Sequence, residues 1–131
     1  MRLRRKRPAP PLPSYDDDGT LGVLVRAPDP AVADSAVLAG VELSAPVLVR
    51  HFLTLPDDAA VARAGELLAQ DGYRLTVVDQ GPPVQLRAFR TQLLTALSAA
   101  QERSRMAGLA QRLGGDVGGW DACGPRGEGS A

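Results

Sequence analysis

The pattern of apolar and polar positions sharpens at residue 47. Val47 to Leu55 alternates in part, with Val47, Val49, Leu53 and Leu55 on one side and Arg50, Phe52 and Thr54 on the other, the period of a strand with one buried face. Pro56-Asp57-Asp58 then opens a helix, because proline is preset for the first turn and acids there complement the helix dipole. Val61, Ala64, Leu67 and Leu68 form its apolar stripe, and Gly72 ends it. Tyr73 to Val78 reads as a second strand with Tyr73, Leu75 and Val77 on one side. Asp79 to Pro83 is turn chemistry short enough for a hairpin, and Val84 to Phe89 alternates as a third strand.

The longest helical pattern runs from Thr91 to Leu113. Its second half places Met106, Leu109, Ala110 and Leu113 at helical spacing, whereas its first half uses Leu93, Leu97 and Ala100 on an offset stripe. That offset predicts a bend near residues 101–105 or a first half that faces something else. Gly114-Gly115 then stops the helix, since glycine takes the left-handed conformation at a helix end without steric penalty. The Gly-rich run to Asp121 reads as a short edge strand carrying Trp120, the only tryptophan of the chain.

The order strand, helix, strand, strand, helix, strand predicts an α+β fold, the ferredoxin-like βαββαβ plait. It is a four-stranded antiparallel sheet with two helices on one face and its first and third strands in the middle. This domain spans residues 47–123. Residues 19–46 form a lead-in, within which Leu21 to Val25 suits a short strand and Ala31 to Leu38 a short helix after Pro30. Residues 1–18 combine a charge run, prolines and three consecutive aspartates, a composition that predicts disorder; 124–131 form a second such tail.

A plait with helices on one side leaves the other side of the sheet open, and function becomes a question about that face. Arg50, Phe52 and Thr54 would stand there beside Gln85, Arg87 and Phe89, a mixture able to receive a partner. Trp120 is either a plug in the core or the centre of a contact surface, with the plug favoured.

Composition narrows the classes. The chain has 131 residues and no formal net charge, yet Arg2, Arg4, Arg5, Lys6 and Arg7 precede every acid, so a mildly acidic body follows a cationic start. That start could touch nucleic acid, but it has no interleaved aromatics and no basic body behind it. The single cysteine, Cys123, fits a reducing compartment, with the cytoplasm as the default location. No apolar run is long enough to span a membrane, and the prolines after the arginines argue against a secretory signal.

No catalytic constellation emerges. His51, the only histidine, falls on the apolar side of its strand and reads as a packed, hydrogen-bonded side chain rather than an acid or base, since no nucleophile stands at a recognisable spacing. Asp16-Asp17-Asp18 lacks the further oxygen ligands of a calcium loop and reads as a solvated acidic run. The glycines at 114, 115, 118 and 119 follow a helix instead of preceding one, so they are no phosphate loop. Neither cofactor nor metal is expected. Arg50, Phe52, Arg87 and Phe89 imitate the aromatic platform of RNA-binding sheets without the sequence patterns of those domains.

Several of these segments together resemble one family. Val49-Arg50-His51-Phe52-Leu53, Pro56-Asp57, Gly72-Tyr73 and above all Leu113-Gly114-Gly115-Asp116-Val117-Gly118-Gly119-Trp120-Asp121 are similar to the regulator of ribonuclease E activity B (RraB-like) family. Asp16-Asp17-Asp18-Gly19 and Leu43-Ser44-Ala45-Pro46 also look like its lead-in. The resemblance implies a non-catalytic cytoplasmic protein with a ferredoxin-like fold that binds the endoribonuclease RNase E and restrains RNA processing or decay. The family typically ends in Tyr-Asp-Gly-Trp, where this chain has Val117-Gly118-Gly119-Trp120 and lacks both the aromatic and the acid. The expected partner-binding residues are Arg50, Phe52, Thr54, Arg87, Phe89 and Trp120. The alternative is a module that binds RNA or a small ligand through the same face, and an exposed face of this kind could also pair with its own copy as a homodimer.

Overall fold

In the computed structural model, residues 14–28, 34–41 and 43–125 are described. The elements in chain order are β1 (Gly22–Ala27), α1 (Asp34–Val37), β2 (Val47–Leu55), α2 (Asp58–Ala69), β3 (Arg74–Asp79), β4 (Val84–Gln92), α3 (Ala96–Arg112) and β5 (Asp116–Gly124). They form one antiparallel sheet in the order β1-β5-β2-β4-β3.

The α+β reading therefore holds, and its sheet is corrected from four strands to five. β2 and β4, the first and third strands after residue 46, do lie between their neighbours β5 and β3. The added strand comes from the lead-in, where β1 pairs along β5 from Gly22 opposite Gly124 to Ala27 opposite Trp120. Only Val25 and Ala27 of β1 turn into the core, so the local pattern understates a strand that the ladder to β5 defines. The lead-in helix shrinks to one turn; the proline expected to start it lies outside the described residues, as do residues 1–13 and 126–131 of the two tails. Gly124, expected to begin the C-terminal tail, is the last residue of β5.

Side-chain alternation on β2 divides the molecule. Val47, Val49, His51, Leu53 and Leu55 are buried on the side that carries the helices. There Leu53 and Leu55 pack with Ala60, Ala64 and Leu68 of α2 and with Met106, Leu109 and Ala110 of α3. α2 starts where the sequence places it: Asp57 caps it, its carboxylate accepting from the Ala60 N–H at 2.9 Å. Residues 91 and 92, expected in the last helix, continue β4 instead. That helix begins after Thr95, whose side chain forms a reciprocal capping box with Ser98.

α3 is one helix with no break at 101–105. Its buried stripe is Ala99, Glu102, Met106, Leu109 and Ala110, while Leu93 and Leu97 point to solvent, Leu97 at 68% exposure. The apolar offset arises because a carboxylate occupies one core position. Glu102 is 6% exposed and accepts from the Tyr73 hydroxyl at 2.7 Å, from Gln92 Nε2 and, at 3.4 Å, from His51 Nε2. Burial alone would raise the Glu102 pKa, but the hydrogen bonds from His51, Gln92 and Tyr73 outweigh it and hold the carboxylate below its usual range. After α3 the chain reverses at Gly114, whose φ of +80° only glycine adopts without strain.

Candidate protein-contact face

The face of the sheet opposite the helices carries Leu48, Arg50, Phe52 and Thr54 from β2. Pairing sets Phe89, Arg87 and Gln85 of β4 opposite Arg50, Phe52 and Thr54 respectively. Arg74 and Thr76 of β3 extend the same rows, since they face Phe89 and Arg87. Five of the residues singled out from the sequence, Arg50, Phe52, Thr54, Arg87 and Phe89, thus meet on one surface.

Trp120 does not join them. It is 2% exposed and points to the helix side, where it packs with Val25, Ala27, Val49 and Ala122 and donates from Nε1 to Asp34 Oδ1 at 3.0 Å. Among the two roles open to it, the structure gives it the plug. His51 also lies under the helices, hydrogen-bonded to Glu102.

The face is divided by the chain itself. Residues 14–21, whose start was expected to be disordered through Asp18, lie over its upper half. Tyr15 and Leu21 pack on Leu48, Phe89 and Cys123, and Phe89 is only 5% exposed as a result. The Tyr15 N–H donates to Thr91 Oγ1 at 2.8 Å. Asp17 accepts from Arg50 Nη1 at 2.9 Å and from Arg87 Nε at 2.6 Å, and its side chain keeps 2% of its exposure. Asp16 accepts from Arg74 Nη1 at 2.7 Å, and the Tyr15 carbonyl accepts from Arg74 Nη2 at 2.9 Å. The other edge of the Arg50 guanidinium is held in the sheet by both oxygens of Asp121, at 2.7 and 2.6 Å.

These pairings shift the charges in opposite directions. Burial pushes the Asp17 carboxyl up, yet the hydrogen bonds and charges of Arg87 and Arg50 bring it below its ordinary value. Asp121 above all, then Asp17, holds Arg50 more firmly protonated than a free arginine, against the opposing effect of burial. The third aspartate, Asp18, turns back on Thr20 in a local turn, accepting from its N–H at 3.0 Å and its hydroxyl at 2.6 Å. The three acids thus face donors, and among the described residues no group of three or more acids, histidines or cysteines is placed to hold a metal ion.

The lower half is uncovered. Phe52, Thr54, Val78, Gln85, Arg87 and Gly118 line a shallow groove there. A bulge in the β2–β5 ladder shapes one wall: His51 pairs with Trp120 and Leu53 with Val117, so Gly118 and Gly119 together oppose Phe52. The groove joins one aromatic ring, one guanidinium and several hydrogen-bonding groups, the mixture in which protein contacts concentrate their energy.

The sequence reading missed Asp17, Asp121, Asp34 and Glu102. Local signals for Asp121 existed, since it follows Trp120 on a strand and must alternate to the other face; the pairing of Asp17 with Arg50 and Arg87, 33 and 70 positions away, leaves no local trace. Among the described residues no helix is long and apolar enough to cross a membrane. Residues 29–122 match the family model described as regulator of ribonuclease activity B. Neither a curated protein nor a solved structure is matched by the chain.

Proposed function

Since this chain belongs to the regulator of ribonuclease activity B family, we propose that it binds an RNase E-type endoribonuclease and restrains RNA processing or decay by covering part of the enzyme, making no bonds of its own. The observation that carries this reading is the uncovered groove over Phe52, Thr54, Gln85, Arg87 and Gly118, which presents side chains on rigid strands beside the paired arginines of the same face. Phe52 is the aromatic anchor and Arg87 the charged contact. Phe89 supports the face from below Tyr15, and Trp120 fixes β5 from the helix side.

Charge favours a protein partner over RNA. Of the described arginines on this face, Arg50, Arg74 and Arg87 are each already paired with Asp121, Asp16 or Asp17, which leaves Arg26, exposed on the edge strand β1, as a single cation away from the groove. A surface that gains affinity from phosphate needs cations free to displace counterions. Within this reading the protein acts in the cytoplasm, where its cysteine stays reduced, and self-association would compete for the same groove.

The test is retention of a purified RNase E-type endoribonuclease from the same host on the immobilised protein. Retention at micromolar concentration is expected, with Phe52→Asp and Arg87→Glu each weakening it about tenfold or more, a loss of about 1.4 kcal/mol or above, while circular dichroism stays unchanged. Absence of retention by the unaltered protein would remove the proposal. A sedimenting dimer that dissociates in the Phe52→Asp variant, with no retention, would assign the groove to a second copy.

A further inference from the structure

We propose that Tyr15-Asp16-Asp17 is a built-in occupant of a peptide-binding surface, and that the partner this surface fits is an acidic segment carrying an apolar residue followed by two carboxylates. The inference rests on the reading that this sheet face is the contact surface, and it names the chemistry of what arrives there.

Three arginines from three strands, Arg50 on β2, Arg74 on β3 and Arg87 on β4, converge on two consecutive carboxylates. Beside them, Leu48, Phe89 and Cys123 form an apolar floor on which Tyr15 packs. The Arg74 guanidinium lies 4.9 Å above the Phe89 ring, so floor and charges are one continuous surface. Main-chain groups of the segment are read as well, the Tyr15 carbonyl by Arg74 and its N–H by Thr91. Each contact is one that a separate peptide of the same chemistry would make.

The occupant is replaceable in a way that the rest of the face is not. Residues 14–16 belong to no helix or strand, and no main-chain ladder ties residues 14–20 to the sheet. Arg50 keeps Asp121, which is held within β5, when the segment leaves. Arg74 and Arg87 do not: among the described residues their ion pairs are with Asp16 and Asp17 alone. Lifting the segment therefore exposes an apolar floor and two uncompensated guanidinium groups, whose planar forks match carboxylates in two-point contact. Phosphate shares that fork geometry, but Thr91 Oγ1 and Arg74 Nη2, placed to read the N–H and the carbonyl of a single residue, favour a polypeptide.

The experiment compares the full chain with its Asp16→Asn/Asp17→Asn variant as receptors for a labelled peptide of sequence Ser-Tyr-Asp-Asp-Asp-Gly-Thr-Leu, which reproduces residues 14–21. Binding to the variant at least tenfold tighter than to the unaltered protein is expected, weakening with added salt and falling tenfold or more when Arg87→Glu is introduced as well. Should the double variant unfold, Asp17→Asn alone, which keeps a neutral acceptor toward the arginines, is expected to give the same order of affinities. Equal binding by variant and unaltered protein would overturn the inference, and so would a twelve-nucleotide uridine oligomer binding the variant in preference to the peptide. Ribonuclease retention by the same preparations separates this inference from the reading beneath it. Retention without peptide binding removes only the acidic-segment assignment, and peptide binding without retention removes only the ribonuclease.

Discussion

Trp120 donates its indole N–H to Asp34 across 86 positions of chain, and this bond ties the last strand to the one-turn helix of the lead-in. The second Asp34 oxygen faces the Arg103 guanidinium at 3.0 Å as an ion pair, without a hydrogen bond of good angle. A large aromatic with its only donor satisfied, packed between two strands and a helix, is a structural keystone whose removal reports on folding before it reports on partners.

Trp120→Ala is accordingly expected to cost about 3–5 kcal/mol, through lost burial and the cavity left behind. Asp34→Ala should cost about 1–3 kcal/mol, since it strands a buried N–H. Urea unfolding at neutral pH measures both. A Trp120→Ala protein as stable as the parent would contradict the plug.

The two glycines before the tryptophan differ in what a side chain would meet. A Cβ on Gly119 would stand 1.9 Å from the Ala27 carbonyl oxygen and 2.7 Å from Pro28 Cα, both backbone of the neighbouring strand and its exit, whereas a Cβ on Gly118 would meet Phe52 Cβ at an ordinary 3.5 Å. Gly119→Ala is expected to destabilise by about 1–3 kcal/mol because β1 must move. Gly118→Asp, which restores the acid of the family's pattern, is expected to leave stability within about 1 kcal/mol and to place its carboxylate beside Phe52 at the groove. Paired urea midpoints of the two variants check this, and equal losses would sink the distinction. If Gly118→Asp also strengthens ribonuclease retention, the acid is a partner contact; if retention is unmoved, it only shapes the bulge.

Stability should fall toward both ends of the pH scale for identifiable reasons. Glu102 and Asp17 have lowered pKa values in the fold, so below about pH 4.5 the unfolded chain takes up protons that the folded one does not, and acid favours unfolding. Burial first, then the Asp121 charge, pushes the Cys123 thiol up to about 11 from 9.0, while burial and the Glu102 hydrogen bond raise the Tyr73 hydroxyl still further. Above about pH 9 the unfolded chain therefore releases protons that the folded one retains, and stability declines as pH rises. Urea midpoints from pH 4 to 11 should trace a plateau between these limits. Cys123→Ala should flatten the first part of the alkaline decline, and a decline unchanged in that variant would refute the assignment.

Much of this architecture is legible in local pattern because its elements obey simple periods. β2 alternates, α2 carries its own proline and aspartate start, and Gly114 marks the end of α3, so the succession from residue 47 follows from neighbours in sequence alone. What escapes is long-range. β1 exposes Val23 and Leu24 and owes its place to β5. Glu102 interrupts an apolar stripe because Tyr73, His51 and Gln92 supply its donors from other elements. Asp16 and Asp17 carry the composition of a solvated run, and only arginines brought together by the sheet seat them on its face. The candidate groove was legible as one face of alternating strands, but the covering of its upper half was not.

The most direct measurement of the central claim is the rate of RNA cleavage by a purified RNase E-type endoribonuclease in the presence of this protein and two variants. Phe52→Asp alters the uncovered groove, and Leu97→Asp alters an exposed position on α3, on the opposite side of the sheet. The account predicts that the unaltered protein and Leu97→Asp slow cleavage equally and that Phe52→Asp slows it at least tenfold less effectively. Cleavage untouched by the unaltered protein, or relieved by Leu97→Asp and not by Phe52→Asp, would contradict it.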